Sequence, residues 1–356
     1  MMRFVAVFLA ILFVTGCGTP GAPQPPSANI PKKVNDLRAV RKGDTVNLSW
    51  SAPEQTTDGA LVRKPGKMIV RRTTTDSQNA VTVAEVPLQP AHKSQQAQGL
   101  AVKDSLTNLL QSSSADFASY TVEVLSGSGK SAGPSTPAVA VPLVPVPATP
   151  KDVQVKVVPQ GVSISWMQYW PPQNRTKLTV QYVYRIMRRE AGSKQQPVMV
   201  KQLNAGNEAA TVIDSTMEWE KQYQYWIIPV TLWQNSQKGE AEGDDSEPVT
   251  VATKDVFPPA VPSGLQAVFS QAGGQSFIDL TWIPNTDPDL AGYNVYRHTE
   301  GTRPPEKINT ELVKTPAFRD ANVQPGMRYF YSVSAVDLRN NESGRSQEAA
   351  ESVPRQ

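Results

Sequence analysis

Side chains suited to covalent or acid–base chemistry are scarce in this sequence and stand far apart. The 356 residues contain one cysteine, Cys17, and two histidines, His92 and His298. A thiolate is a nucleophile, but a single thiol cannot form a disulfide within the chain. The sequence contains no Ser-His-Asp set, HExxH run, CxxC pair or glycine-rich phosphate loop. It therefore predicts a non-catalytic protein without a metal or other cofactor, and Cys17 is its one reactive candidate.

The segment before Cys17 has the character of an export signal. A basic start is followed by an unbroken apolar run over residues 4–14, which is too short to span a bilayer but typical of a signal peptide. Val14, Thr15 and Gly16 then place one aliphatic and two small residues before the thiol. The alternative interpretation is an ordinary signal peptide that contains a chance cysteine.

The run Val14-Thr15-Gly16-Cys17 resembles the bacterial lipobox. The resemblance implies that the Cys17 thiol receives diacylglycerol, that the signal peptide 1–16 is removed, and that the new amino group is acylated. Residues 17–31 then form a proline-rich tether. Gly18 stands where an aspartate often retains such proteins at the inner membrane, so we predict an outer-membrane anchor. Whether the protein faces the periplasm or the cell surface stays open.

Tryptophans mark an internal repeat. Trp50, Trp166 and Trp282 stand at equal intervals of 116 residues, and each ends a short alternating run such as Val46-Asn47-Leu48-Ser49-Trp50. A fixed period with one local pattern indicates that a single structural unit is repeated along the chain. The sequence therefore predicts three copies of one module.

The third repeat shows the clearest strand pattern. Residues 277–282 alternate in polarity, Gly292-Tyr293-Asn294-Val295-Tyr296-Arg297 follows, and a later alternating run extends from Pro325 to Ala335. Short strands between Pro, Gly and Asn turns are typical of an antiparallel sandwich. These segments resemble a fibronectin type III domain. The resemblance implies that Trp282 packs between two sheets and that the Tyr329 hydroxyl forms a tyrosine corner.

The predicted fold class is therefore all-β, with three tandem immunoglobulin-like (fibronectin type III) sandwiches after the signal peptide and tether. The predicted domains span residues 32–142, 150–253 and 260–351. The joints between them are rich in proline, which fixes φ and favours extended, semi-rigid spacers.

The first repeat departs furthest from the pattern. Aligning Tyr120 with Tyr331 puts Ala118 where the corner tyrosine stands, so the corner hydrogen bond is absent or is supplied by another group. Asp104, by contrast, matches the aspartate of the other repeats, Asp214 and Asp320. The stretch 73–116 is rich in Ser, Thr and Gln, and we predict an enlarged loop region there, with partial order left open.

The net charge and the placement of carboxylates indicate which classes of ligand the chain is suited to bind. The formal net charge is +3 with both signs interspersed, so we predict no nucleic-acid binding. The run Asn285-Thr286-Asp287-Pro288-Asp289 offers oxygen ligands of the type that calcium takes. It lacks the full calcium-loop spacing, and turns favour the same residues. We therefore interpret it as a polar turn and predict no metal site.

The second repeat contains five of the seven tryptophans. Period-2 alternation predicts that Tyr225 and Ile227 face the core, which leaves the opposite face for Trp226 and Ile228. The neighbouring strand is expected to add further residues to this face, and the candidate partner-binding set is Trp226, Ile228, Arg185, Met187 and Arg189. Tryptophan, methionine and arginine are enriched at protein interfaces. The alternatives are that a neighbouring module or loop covers the face, or that the arginines stack on Trp226.

Three functions remain open at this level, of which the weakest by far is an enzyme whose site the sequence does not reveal. The first is a lipid-anchored, non-catalytic envelope protein whose modules act as spacer and protein-interaction surface. The second is a carbohydrate-binding or adhesive surface lipoprotein, in which loop aromatics such as Trp170 and Trp233 stack on sugar rings. The predicted partners are accordingly the membrane, through Cys17, and an envelope protein or a glycan.

Overall fold

A computed structural model describes residues 28–91, 98–135, 137–169, 173–206, 208–302 and 304–355. The predicted signal peptide and lipidation site at Cys17, together with His92 and Trp170, lie outside these residues. Across the described ranges, no helix has the length and apolar character that a transmembrane span requires.

The chain forms two compact units. The first includes the chain up to Pro145, together with 174–179 and 233–237, and the second comprises 146–173, 180–232 and the chain from Lys238 onward. The first unit therefore holds the first repeat and two short pieces of the second. The rest of the second repeat and the whole third repeat belong to the second unit.

The first repeat folds into two antiparallel sheets. Its elements are β1 (Arg38–Lys42), β2 (Thr45–Ser51), β3 (Pro65–Thr74), β4 (Ser77–Pro87), β5 (Gly99–Ser105), α1 (Thr107–Ser112), β6 (Phe117–Ser126), β7 (Ser131–Pro134) and β8 (Val139–Pro142). One sheet has the order β1-β2-β5, and the other has the order β4-β3-β6-β7 with β8 also paired to β6.

The predicted loop over 73–116 is wrong for most of its length. The strands β4 and β5 and the helix α1 lie within it, and β4 pairs with β3 along nearly its whole length. The physical reason is that threonine and valine alternate in this segment, for example at Val81, Thr82 and Val83, and β-branched residues favour strands. Polarity alone was a poor guide because β4 lies at a sheet edge, where most of its side chains reach solvent.

The second repeat has the same two-sheet plan. Its strands are β9 (Gln154–Val158), β10 (Gly161–Met167), β11 (Thr179–Glu190), β12 (Val198–Asn204), β13 (Ala209–Asp214), β14 (Gln222–Gln234), β15 (Lys238–Glu242) and β16 (Val249–Ala252). One sheet has the order β13-β10-β9, and the other runs β12-β11-β14-β15 with β16 also paired to β14.

The third repeat is the most regular. Its strands are β17 (Ser263–Ala272), β18 (Gln275–Ile283), β19 (Leu290–Thr299), β20 (Glu306–Lys307), β21 (Ala317–Asp320), β22 (Arg328–Asp337) and β23 (Ala349–Ser352). The sheets have the orders β17-β18-β21 and β20-β19-β22-β23.

Each repeat has its own hydrophobic core, and the periodic tryptophan lies in it. Trp50, Trp166 and Trp282 are 3%, 3% and 5% exposed. Each sits on the middle of three paired strands and faces the opposite sheet, because the alternating run that it ends puts every second side chain inward. Tyr184 and Tyr293 meet the rings of Trp166 and Trp282 edge-on. The all-β fold class predicted from the repeat is confirmed.

Candidate functional site

Tyrosine corners close two of the repeats. The Tyr329 hydroxyl accepts a hydrogen bond from the Gln324 amide at 2.9 Å, as the sequence predicts. The Tyr223 hydroxyl accepts the equivalent bond from the Glu218 amide at 3.2 Å. In the first repeat Ala118 is fully buried at the corner position, and it has no side-chain hydroxyl to make this bond.

A second constellation, which sequence reasoning missed, occurs in all three repeats. One carboxylate oxygen of an aspartate that is buried in the second and third repeats and partly buried in the first accepts hydrogen bonds from an arginine and a tyrosine of the facing sheet. The three sets are Arg72–Asp104–Tyr120, Arg188–Asp214–Tyr225 and Arg297–Asp320–Tyr331. Their N–O and O–O distances run from 2.5 to 2.9 Å. Each set ties the two sheets of its sandwich together through a charged, hydrogen-bonded centre.

Electrostatics in the second repeat favour the ionised aspartate. Burial opposes the charge on Asp214, but hydrogen bonds from Thr216 and Tyr225 and the charge of Arg188 outweigh it, so the pKa of Asp214 lies below its ordinary value. Burial, together with the negative charge of Asp214, raises the pKa of Tyr225. A buried phenol that stays protonated can only donate to this carboxylate. The constellation is thus suited to holding the sandwich together, and it offers no group poised to exchange a proton near neutral pH.

The predicted partner-binding residues lie on the outer face of the β11–β14 pair. Tyr225 and Ile227 are fully buried in the core, so Trp226 and Ile228 point to the opposite side. There Ile228 forms a small buried cluster with Val183 and Val230, and further side chains pack against it. These packed side chains are Met187, Trp226 and Leu232.

The five predicted residues differ in how much of each a partner could reach. Ile228 is only 9% exposed, so it supports the face from below and is not available for contact. Met187 and Trp226 are half-buried, whereas Arg189 is exposed. The Arg189 guanidinium lies 5.9 Å from the centre of the Trp226 ring and donates to the Gln224 side chain at 3.0 Å. Arg189 therefore stacks on Trp226, as one of the alternative interpretations of this face predicts.

Arg185 is neutralised within its own repeat. Its guanidinium donates to both carboxylate oxygens of Glu240, at 2.7 and 3.1 Å, and lies 3.6 Å from Glu242. The hydrogen bonds that Arg185 donates to Glu240, together with the negative charges of Glu240 and Glu242, raise the pKa of Arg185, although burial opposes the shift. The same contact lowers the pKa of Glu240. A bidentate ion pair of this kind leaves little unbalanced charge for a partner.

Comparisons with known proteins show which proteins these repeats are similar to. No protein-family model matches the chain. An amylopullulanase of Thermoanaerobacterium thermosulfurigenes is 35% identical over 96 residues, which are 27% of this chain and 5% of that enzyme. The chain therefore spans a small fraction of this relative's length.

Two solved structures are also similar. A Fn3-like protein from Clostridium thermocellum is 34% identical over 28% of this chain and 96% of its own, with a TM-score of 0.23. The FN1–FN3 domains of chicken CNTN1 align with 92% of this chain and 99% of their own at 14% identity, with a TM-score of 0.25. The repeats are fibronectin type III-like domains.

The loop predicted as a polar turn braces the third fibronectin type III-like domain against the linker before it. The Asn285 side chain donates to the carbonyl of Ala260 at 2.6 Å, and the Ala260 amide donates to Asp287 at 3.2 Å. The Leu290 amide closes the turn on the carbonyl of Asp287. These side chains hold backbone groups of the linker, which is the role that turn chemistry favours.

Asp289 ends this loop next to two buried carboxylates that the sequence did not single out. One oxygen each of Asp255, Asp289 and Asp337 lies within 4.8 Å of the others. Such oxygens are of the type that hold a divalent cation, but the cluster already has cationic and N–H partners. Arg339 lies 3.5 Å from Asp255, and its amide donates to Asp337 at 2.8 Å. Asn341 binds both the carboxylate of Asp337 and the carbonyl of Asp255, so the cluster fastens the linker to the third domain.

The aromatic residues considered for stacking on sugar rings differ in their structural surroundings. Trp170 lies outside the described residues. Trp233 packs edge-on against Phe117 with ring centres 5.2 Å apart, and its indole nitrogen is buried, so its ring is committed to packing. Tyr169, in the loop after β10, is 51% exposed. Among the described residues of this loop, it is the aromatic that a flat ligand would find accessible.

Proposed function

We propose that this protein is a lipid-anchored, non-catalytic component of a bacterial cell envelope, held at the outer membrane through Cys17. Its fibronectin type III-like domains act as spacer and as protein-interaction surface. The observation that carries the anchoring is the run Val14-Thr15-Gly16-Cys17, which places the only cysteine of the chain directly after an apolar export segment. Several acyl chains hold a protein to a bilayer far more firmly than a single chain does.

The interaction role is supported by the outer face of the second domain. Trp226 and Met187 stay half-buried on this face although Tyr225 and Ile227 fill the core beneath. A half-buried tryptophan beside methionine and arginine has the composition of interface hot spots. The hydrogen-bonded Arg–Asp–Tyr constellations of the three domains, in contrast, hold each sandwich together.

Replacing Cys17 with serine tests the anchor. Without the thiol no diacylglycerol can be attached, so we expect the protein to move almost entirely from the membrane fraction to the soluble fraction and to lose labelling by a radioactive fatty acid. Thr19→Ser in the tether is the matched control and should stay in the membrane fraction. A Cys17→Ser protein that sediments with membranes as the control does would contradict the proposal.

A second candidate function is carbohydrate binding. It is favoured by the similarity to a segment of an amylopullulanase, by name an enzyme of pullulan, and by the exposed ring of Tyr169. In this case pullulan cast into a native gel should retard the full chain, and Tyr169→Ala should abolish the retardation because the flat contact surface is lost. Met167→Ala, which removes an exposed apolar side chain nearby, is the control and should migrate like the wild type. Equal migration of all three proteins with and without pullulan would reject this candidate.

A further inference from the structure

One part of the outer face of the second domain is open, apolar and positively charged. We define the Met–Trp patch as Met187, Met199, Trp226 and Arg189. We propose that the Met–Trp patch binds an acidic segment of another envelope protein, one that carries apolar side chains beside its carboxylates. This inference rests on the proposed function as an interaction protein and deepens it by naming the surface and the chemistry of the partner.

The apolar part of the patch is built on a fixed base. Met187 and Trp226 pack on the buried cluster around Ile228, so their positions are supported before any partner arrives. Met199 is the direct cross-strand partner of Met187 and is 51% exposed, and cross-strand partners share a face. An anchor that is already ordered loses less conformational entropy on binding, and methionine adapts to irregular apolar surfaces. The patch therefore suits leucine, valine or aromatic side chains of a polypeptide.

Charge selects an acidic partner. Arg185 is balanced by Glu240 and Arg188 by Asp214, whereas Arg189 has no carboxylate partner among the described residues. The turn of the hairpin formed by β11 and β12 also carries Lys194, for which the described part of the chain supplies no ion pair either. Its one acidic residue, Glu190, is engaged by Lys221 at 3.4 Å. The hairpin thus presents unbalanced positive charge next to the apolar anchor, and this combination attracts carboxylates and repels basic partners.

The edge of the sheet argues for docking across the face and against addition of a further strand. β12 is the outermost strand in its sheet. It follows Pro197, contains a register shift opposite Ile186 and Met187, and pairs Lys201 with Ile186, which faces the core. A proline, a bulge and an inward-pointing charge are the features by which edge strands avoid pairing with other chains. The partner segment therefore lies over Trp226 and Met187.

Photo-crosslinking of the full chain in its native host tests the proposal. A photoreactive amino acid replaces Met199, and the control position is Val268, which is 54% exposed on the third domain. We expect irradiation to produce a covalent adduct with another protein from position 199 and none from position 268. Arg189→Glu should lower the yield of this adduct by about tenfold or more, whereas Arg189→Lys, which keeps the charge, should retain it. Mass spectrometry should find the crosslinked segment rich in Asp and Glu.

The remaining outcomes separate this proposal from the proposed function. An adduct from position 199 that survives Arg189→Glu, or one with a basic segment, a glycan, a nucleic acid or only a second copy of the chain, would overturn the proposal. Adducts with envelope proteins from position 268 but not from 199 would overturn it too, yet would leave the interaction role intact. The absence of adducts from both positions would remove the proposal and the support for an interaction role together. Arg189 is exposed, so unchanged thermal unfolding of both variants is expected and excludes misfolding.

Discussion

Trp282→Ala is expected to lower the free energy of unfolding of the third domain by about 3–5 kcal/mol. The side chain is 5% exposed and meets the ring of Tyr293 edge-on at 5.1 Å, so its removal leaves a large cavity between the two sheets. A typical domain is stable by about 5–15 kcal/mol. The substitution therefore removes a large fraction of the stability of this domain, and in a marginal domain it would cause unfolding.

Hydrogen exchange in the full chain measures this loss locally. We expect the amides of β22 to lose about two to three and a half orders of magnitude of protection, since each 1.4 kcal/mol is tenfold in an equilibrium constant, while the amides of β6 in the first domain are unchanged. Trp282→Phe is the matched control. It keeps an aromatic ring and removes an indole N–H that has no partner among the described residues, so it should cost much less. Unchanged protection of β22 in Trp282→Ala would show that the tryptophan does not support this core.

Asp214→Ala is expected to destabilise the second domain by about 3–5 kcal/mol, the usual result of removing one partner of a buried ion pair. The Asp214 carboxylate is 0% exposed and accepts hydrogen bonds from Arg188 and Tyr225. Its loss leaves a guanidinium and a phenol without their acceptor in a largely dry site. Calorimetry of the full chain should show an unfolding transition displaced to lower temperature.

The same carboxylate predicts a pH dependence that the variant should lack. Since the pKa of Asp214 is lowered in the folded state, its ionised form contributes stability that is fully present above the unfolded pKa of about 4 and is lost as the pH falls through the folded value. Wild type should therefore lose more stability than Asp214→Ala in acid. Asp279→Ala breaks an exposed pair with Arg319 and should have little effect at any pH, as surface pairs generally do. Parallel acid titrations of wild type and Asp214→Ala would contradict this assignment.

The fold followed from sequence because its signals are local and repeated. The alternating run ending at each periodic tryptophan determines which side chains face inward, and a one-residue error would have reversed every assignment on the strand. Tyr225 and Ile227 are accordingly buried, with Trp226 on the other side. The failure over 73–116 has the opposite cause. There the first domain has an edge strand, and the solvent exposure of that edge gives its sequence the polarity of a loop.

The buried Arg–Asp–Tyr constellations show where aligned sequence was informative but insufficient. Asp104, Asp214 and Asp320 occupy equivalent positions in the three repeats, and each has a tyrosine at a corresponding place downstream. These equivalent positions pair a carboxylate with the groups that donate hydrogen bonds to it, so they could have been recognised from the sequence as one site. Alignment does not show that the side chains meet, because the aspartate and its partners lie on different sheets.

Sequence alone determined the repeat and the strand alternation, since each depends on neighbouring residues, and it predicts the export segment on the same local basis. Tertiary structure alone decided which residues of the outer face a partner can reach. Ile228 and Trp226 stand two residues apart on one strand, yet Ile228 is buried by Val183 and Val230. Arg185 and Arg189 are equally charged, yet only Arg185 meets Glu240, 55 residues away. Exposure and charge balance depend on contacts between distant parts of the chain, and no local pattern encodes them.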